Sequence, residues 1–429
     1  MFRFIKLFIM TRGKFFFFNL ILIFILSYYT IPLFSYESNY PFIYKYSLYY
    51  LIFLTFNICI VVFYLFACVI TKNNRFLFYF VIISILTLEI VMRIVGQSPQ
   101  GTKFKYSVPH IMWVNEPNSE YMIQSEGQEL PIKINELGYR GDVPKKIKNG
   151  EYRIIMIGAS TVLNRESIMS KTLPGLIQDK FINNGHKQVR IYNWGVSAYK
   201  SEQELITILE KAVNFSPDLI LVYNGGNDIH ESYNYDPRIG YPFNYMAYEL
   251  GYSRMGNNLN PLQFIELILQ QSKVLQFLHG RNKFRFINID KLRRNASFNS
   301  KEWKEDIANN YIDNINKMLK LSNSFNFKIL VVLQPMLHNK NILTDVEKEK
   351  LGRENFRVYV KKMYKVISNK FNSLSNNYVD MDTQRLLDIH QIFSSESKTI
   401  YRDIIHINDY GREMIADTVF KELTTLMSR

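Results

Sequence analysis

The chain has 429 residues, with 52 Lys plus Arg against 38 Asp plus Glu, 47% hydrophobic residues and 15% aromatics. That much apolar material excludes a disordered or low-complexity scaffold. The aromatics crowd into the first hundred residues, which assigns that end to a membrane.

Three long apolar runs precede Gly96: Phe15 to Phe34, Leu48 to Ile70 and Phe76 to Val95. About 20 helical residues cover the roughly 30 Å hydrocarbon core of a bilayer, so each run predicts a transmembrane helix. The first continues Leu33-Phe34-Ser35-Tyr36-Glu37 with no small-x-small cleavage site, and it predicts an uncleaved anchor. Arg3, Lys6, Arg12 and Lys14 precede it, and Lys72 and Arg75 lie in the loop before the third run. The loop 35–47 holds only Lys45, offset by Glu37. Positive charge inside puts the N-terminus in the cytoplasm, and three spans then put everything after Val95 outside it. Glu89 and Arg93, four apart in the third span, share a helix face as an intramembrane ion pair. Cys59 and Cys68 are the only cysteines. They lie about 13 Å apart along the second span, too far to bridge each other.

Eight basic and two acidic residues precede Gln97, leaving 44 against 36 for the remainder. That excess suits an acidic envelope surface or phospholipid headgroups. No basic stripe interleaved with aromatics is visible, so nucleic acid is not an expected partner. Residues 97–150 are interrupted by Pro99, Pro109, Pro117, Pro131 and Pro144 and predict a linker with short extended pieces.

From Tyr152 the rhythm becomes strand and helix in alternation. Strand-like runs occur at Ile154 to Ile157, Val189 to Tyr192, Leu219 to Val222, Ile329 to Leu333 and, more weakly, Tyr378 to Met381. Helical stretches such as Ser201 to Val213 and Lys304 to Leu321 separate them. This alternation predicts a three-layer α/β/α domain over residues 151–429, with a mainly parallel, flavodoxin-like sheet covered on both faces. The stretch from His230 to about Ser300 breaks the rhythm and predicts an insertion over the sheet's carboxyl edge.

Ligands of such sheets sit outside the carboxyl ends of the strands. The first strand ends in Gly158-Ala159-Ser160-Thr161, the second in Asn193-Trp194-Gly195 and the third in Asn224-Gly225-Gly226-Asn227-Asp228. Asp403-Ile404-Ile405-His406 precedes a last helical stretch, Asp409 to Leu423. Each alone is ordinary turn chemistry. Together, and in this order, they resemble the four blocks of the SGNH (GDSL-type) hydrolase family over roughly Tyr152 to Leu423.

The resemblance implies Ser160 as nucleophile, Asp403 and His406 as the rest of a triad, and Gly195 and Asn227, with Ser160, as oxyanion-hole donors. Two positions depart from the family: Ala159 stands where its name has Asp, and Ala198 where a second Gly is frequent. Independently, a serine hydroxyl needs a base, and His406 supplies one if Asp403 orients the ring. Residue 162 is not Gly, and the Asp lies only three residues before the His, unlike the Gly-x-Ser-x-Gly elbow of α/β-hydrolases.

His230, near the Asn227 turn, and His338, after the fourth strand, are candidate substrate contacts. His110, His186, His279 and His390 read as surface residues. No metal-ligand spacing or phosphate loop is visible, so neither metal nor cofactor is expected.

The expected function is a membrane-anchored, extracytoplasmic serine esterase acting on O-acyl esters of envelope glycan or lipid. The alternatives are an O-acyltransferase for a cell-surface polysaccharide and a non-catalytic envelope assembly or binding protein.

Overall fold

The computed structural model describes residues 106–125, 128–243, 245, 249, 289–378, 380 and 382–428. The three apolar runs, both cysteines, Glu89, Arg93, His279 and most of the expected insertion lie outside the described residues. Among the described residues no helix is long and apolar enough to cross a membrane.

Two antiparallel hairpins come first, β1 (Tyr106–Val108) with β2 (Met112–Val114) and β3 (Glu120–Ser125) with β4 (Gln128–Lys133). These are the short extended pieces expected of the segment, but it is packed and not a linker. Ile111, Trp113, Val114 and Tyr139 are buried in the main core, and Tyr139 stacks on Trp194 with ring centroids 4.3 Å apart. Proline does interrupt helix in this segment, as expected, but it does not prevent packing. Pro109 sits in the turn between β1 and β2, and Pro131 lies within β4 of a two-stranded ribbon, where each strand has a free edge.

The central sheet holds β5 (Tyr152–Gly158), β6 (Val189–Gly195), β7 (Leu219–Asn224), β8 (Lys328–Leu333) and β9 (Gln384–Asp388), all parallel, in spatial order β6-β5-β7-β8-β9. The first four contain the expected runs. The fifth strand lies later than Tyr378 to Met381, because Tyr378 still belongs to a helix, and Leu386, in the next apolar pair, packs into the core instead.

The connecting helices are α1 (Ser160–Leu163), α2 (Leu173–Asn183), α3 (Ser201–Glu210), α4 (Gly226–Asn234), α5 (Lys301–Phe325), α6 (Glu354–Tyr378) and α7 (Asp409–Met427). Successive strand residues point to opposite faces, and this divides the core in two. Ile155, Ile157, Ile220, Val222, Ile329 and Val331 pack with α3, α5 and α6, whereas Ile154, Met156, Leu219, Leu221, Leu330 and Val332 pack with α2 and α7. Three layers result. In α5 the buried residues Trp303, Ile307, Tyr311, Ile315 and Met318 recur at three- and four-residue steps, one stripe of a helix. Its start is capped by Ser300, whose hydroxyl accepts the Trp303 N–H at 3.0 Å.

The strand order places β5 at the point where successive connections leave in opposite directions, to β6 on one side and β7 on the other. A crevice opens at the carboxyl edge of such a point.

Candidate active site

Ser160 lies just beyond β5 at that crevice, after Ala159, as the first residue of α1. The turn is held by close backbone approach: a Cβ added to Gly195, in neighbouring β6, would lie 2.1 Å from the Leu163 backbone nitrogen of α1. Only glycine fits there. Asn193 ties the same elements, donating from Nδ2 to the Val162 carbonyl at 2.9 Å.

His406 and Asp403 lie in the loop before α7, which Asn408 caps by accepting the Gly411 N–H at 2.9 Å. The Asp403 carboxylate folds back on its own loop. One oxygen accepts the backbone N–H groups of Ile405 at 2.8 Å and His406 at 2.7 Å, and the other meets His406 Nδ1 at 2.6 Å. Burial pushes the Asp403 carboxyl up, but these hydrogen bonds and the nearby imidazole outweigh it and hold the group at about 2. An ionised carboxylate only accepts, so Nδ1 carries a proton and Nε2 presents its lone pair. Nε2 lies 2.8 Å from Ser160 Oγ. Residues 246 positions apart in sequence thus form a continuous Ser160–His406–Asp403 relay.

Asn227 lies near the start of α4, after Gly225, whose φ of +97° a side chain would strain. Its Nδ2 donates one hydrogen to the Tyr199 carbonyl at 2.8 Å, which fixes the amide with its second N–H available. Asp228 anchors the turn from behind, accepting the Ser201 hydroxyl at 2.6 Å.

Gly195 is not where the resemblance placed it. Its N–H is spent on Asn193 Oδ1 at 3.0 Å, and Gly195 does not line the cleft. From this loop Ser197 and Ala198 line the cleft with Ser160, Ala198 in a left-handed conformation with φ +64°. Among the described residues its N–H has no partner. Ser160 N–H, Ala198 N–H and Asn227 Nδ2 are therefore the donors at hand for an oxyanion. The sequence signal for Ala198 was its position where glycine is frequent.

The cleft has two lobes that share Ser160, Ser197 and His406. One, of about 390 Å³, is bounded by Ala198, Asn227, His230 and the apolar Tyr235, Phe243, Ile404 and Ile405. The other, of about 230 Å³, is bounded by Thr161, Asn164, Arg165, Glu166, Leu173 and Arg412. His230 thus reaches the site, and burial pushes it down to about 4, so it is neutral at physiological pH. His338 does not. It is buried behind the cleft, with Nε2 3.0 Å from the Leu351 carbonyl and its ring edge-on to Phe356. His390 is likewise no surface residue, since its ring stacks on Tyr364 and Nδ1 lies 2.6 Å from Asp388.

Spacing offered no sign of Arg140. It is buried, and its guanidinium donates to the carbonyls of Leu163, Asn164 and Ser167, the loop that walls the smaller lobe. Among the described residues no group of His, Cys, Asp and Glu could hold a metal ion.

No protein-family model and no curated protein matches the sequence. Among solved structures, the chain is similar to an acetyl xylan esterase at 12% identity and TM-score 0.37, covering 62% of this chain and 98% of that one. It is also similar to a mutant acetyl-xylooligosaccharide esterase from Geobacillus stearothermophilus at 11% identity and TM-score 0.37, covering 65% and 96%. A third is a GDSL-like lipase from Bacteroides thetaiotaomicron at 13% identity and TM-score 0.34, covering 67% and 93%. At these identities and TM-scores the likenesses carry no functional inference.

Proposed function

We propose that this chain is a serine esterase of the SGNH type, held at a membrane by three N-terminal helices. Its domain faces away from the cytoplasm and removes O-acyl groups from an envelope glycan or lipid. The observation that carries the reading is the unbroken relay from Ser160 Oγ through His406 to Asp403, at 2.8 and 2.6 Å.

As the hydroxyl attacks the ester carbonyl, its proton passes to His406 Nε2, and the carbonyl oxygen gains charge beside Ala198 N–H and Asn227 Nδ2. Asp403, ionised down to about pH 2, stabilises the imidazolium. His406 then returns the proton to the departing alkoxide, leaving an acyl-Ser160. Water gives His406 a proton as it attacks the acyl carbon, and the collapse releases the acid and restores the serine.

A fluorophosphonate should label the purified protein at Ser160, located by peptide mass. The protein should release mostly free acid from a model acyl ester even when glycan oligosaccharides are present. An unlabelled Ser160 would reject the nucleophile, and acylated glycan as the main product would reassign the enzyme to acyl transfer. Orientation is supported by the six basic residues, Arg3, Lys6, Arg12, Lys14, Lys72 and Arg75, in the two segments expected inside. Reporters fused after residue 100 should be active only outside the cytoplasm; cytoplasmic activity would overturn the compartment.

A further inference from the structure

A second concavity, a groove of about 1170 Å³, runs along β6, the edge strand of the central sheet. It begins at the amino ends of β5 and β6, near Gly150 and Gln188, and ends at their carboxyl side with Arg140, Ile168 and Met169. Seven residues of strand at about 3.3 Å each make it roughly 23 Å long. Its far end shares a wall with the active-site cleft, because Arg140 is bonded to the loop whose Asn164, Arg165 and Glu166 line the smaller lobe.

The lining is cationic. Six basic side chains, Lys133, Arg140, Lys145, Lys148, Lys187 and Arg190, face two carboxylates, Asp142 and Glu151. Lys148 is neutralised by Asp218 at 2.8 Å, and Glu151 by Arg153 at 2.5 Å. Lys133, Lys145, Lys187 and Arg190 are exposed and in no ion pair among the described residues. The strand edge itself is closed to another strand. Gln178 donates to the Val189 carbonyl and accepts the Ile191 N–H, both at 2.8 Å, and Arg140 bridges Asn193. A peptide adding to the sheet would need those groups, so recognition is left to the side-chain cations.

We propose that this groove binds an anionic polysaccharide, whose carboxylates or phosphates pair with Lys133, Lys145, Lys187 and Arg190 while its ester reaches Ser160. The delivery of the ester rests on the esterase reading above; the binding does not. Exposed cations attract a polyanion in a salt-dependent way, because the screening length is about 8 Å at physiological ionic strength.

The test is the affinity of the full-length protein for fluorescent polygalacturonate oligomers, in the wild type and in a Lys133→Glu/Lys187→Glu/Arg190→Glu variant. The variant should bind on the order of tenfold more weakly and with a flatter salt dependence. A milder Lys145→Gln/Lys187→Gln variant should lose less, and neither should change turnover of 4-nitrophenyl acetate, which is too small to use the groove. Unchanged polygalacturonate affinity would overturn the proposal. So would loss of binding to phosphatidylglycerol vesicles alone, which would assign the groove to a lipid surface. A wild type inert toward every ester, yet binding polygalacturonate through these residues, would refute the catalytic reading and uphold the groove.

Discussion

Replacing Ser160 or His406 with Ala is expected to lower kcat toward a model acyl ester by on the order of 10⁴ to 10⁶, with KM little changed. The two side chains act as one unit at 2.8 Å, so the double variant should be scarcely slower than either single one. Asp403→Asn should cost less than either, because backbone N–H groups of Ile405 and His406 still hold the residue in place. It still costs heavily, since an amide can donate to Nδ1 and invert the tautomer that leaves Nε2 free to accept. Steady-state kinetics on purified protein, with the melting temperature checked alongside, would decide the matter. Near wild-type turnover by Ser160→Ala would remove the nucleophile, and additive losses in the double variant would break the relay.

Asn227→Ala should lower kcat by on the order of 10² to 10³ and leave KM nearly constant, because under the proposed esterase mechanism its second N–H meets charge that exists only in the transition state. Loss of the bond to the Tyr199 carbonyl makes a modest fall in stability the accompanying expectation. A change confined to KM would mean that Asn227 holds substrate instead. Ala198 provides the contrasting control. Its contribution is a backbone N–H, so Ala198→Gly should keep the rate, and relief of its left-handed φ of +64° should stabilise the fold by about 1 kcal/mol. A large loss of rate in Ala198→Gly would show that the methyl, and not the N–H, matters.

The parallel sheet and its two helical layers were legible in the sequence because strands buried on both faces need near-continuous apolar runs, as in Ile154 to Ile157 and Leu219 to Val222. The polar residues that end those runs could be placed for the same reason: once a run is a parallel strand, its carboxyl end faces the crevice. Ser160 and Asn227 followed from that rule; Asp403 and His406 end no strand and were singled out by the order of the four blocks, which resembles the SGNH pattern.

What lay beyond the sequence depends on which atoms of distant segments meet. Whether the Gly195 N–H is free or already bonded to Asn193 is set by the backbone of one loop, and composition does not encode it. The first hairpins read as a linker because their prolines forbid helix, while the cavity that Trp113 and Tyr139 fill exists only after β6 and α3 are assembled. Arg140 is the clearest case. A lone arginine in a turn carries no local signal, and only the folded chain brings it against the carbonyls of Leu163, Asn164 and Ser167, at the wall between the basic groove and the catalytic cleft.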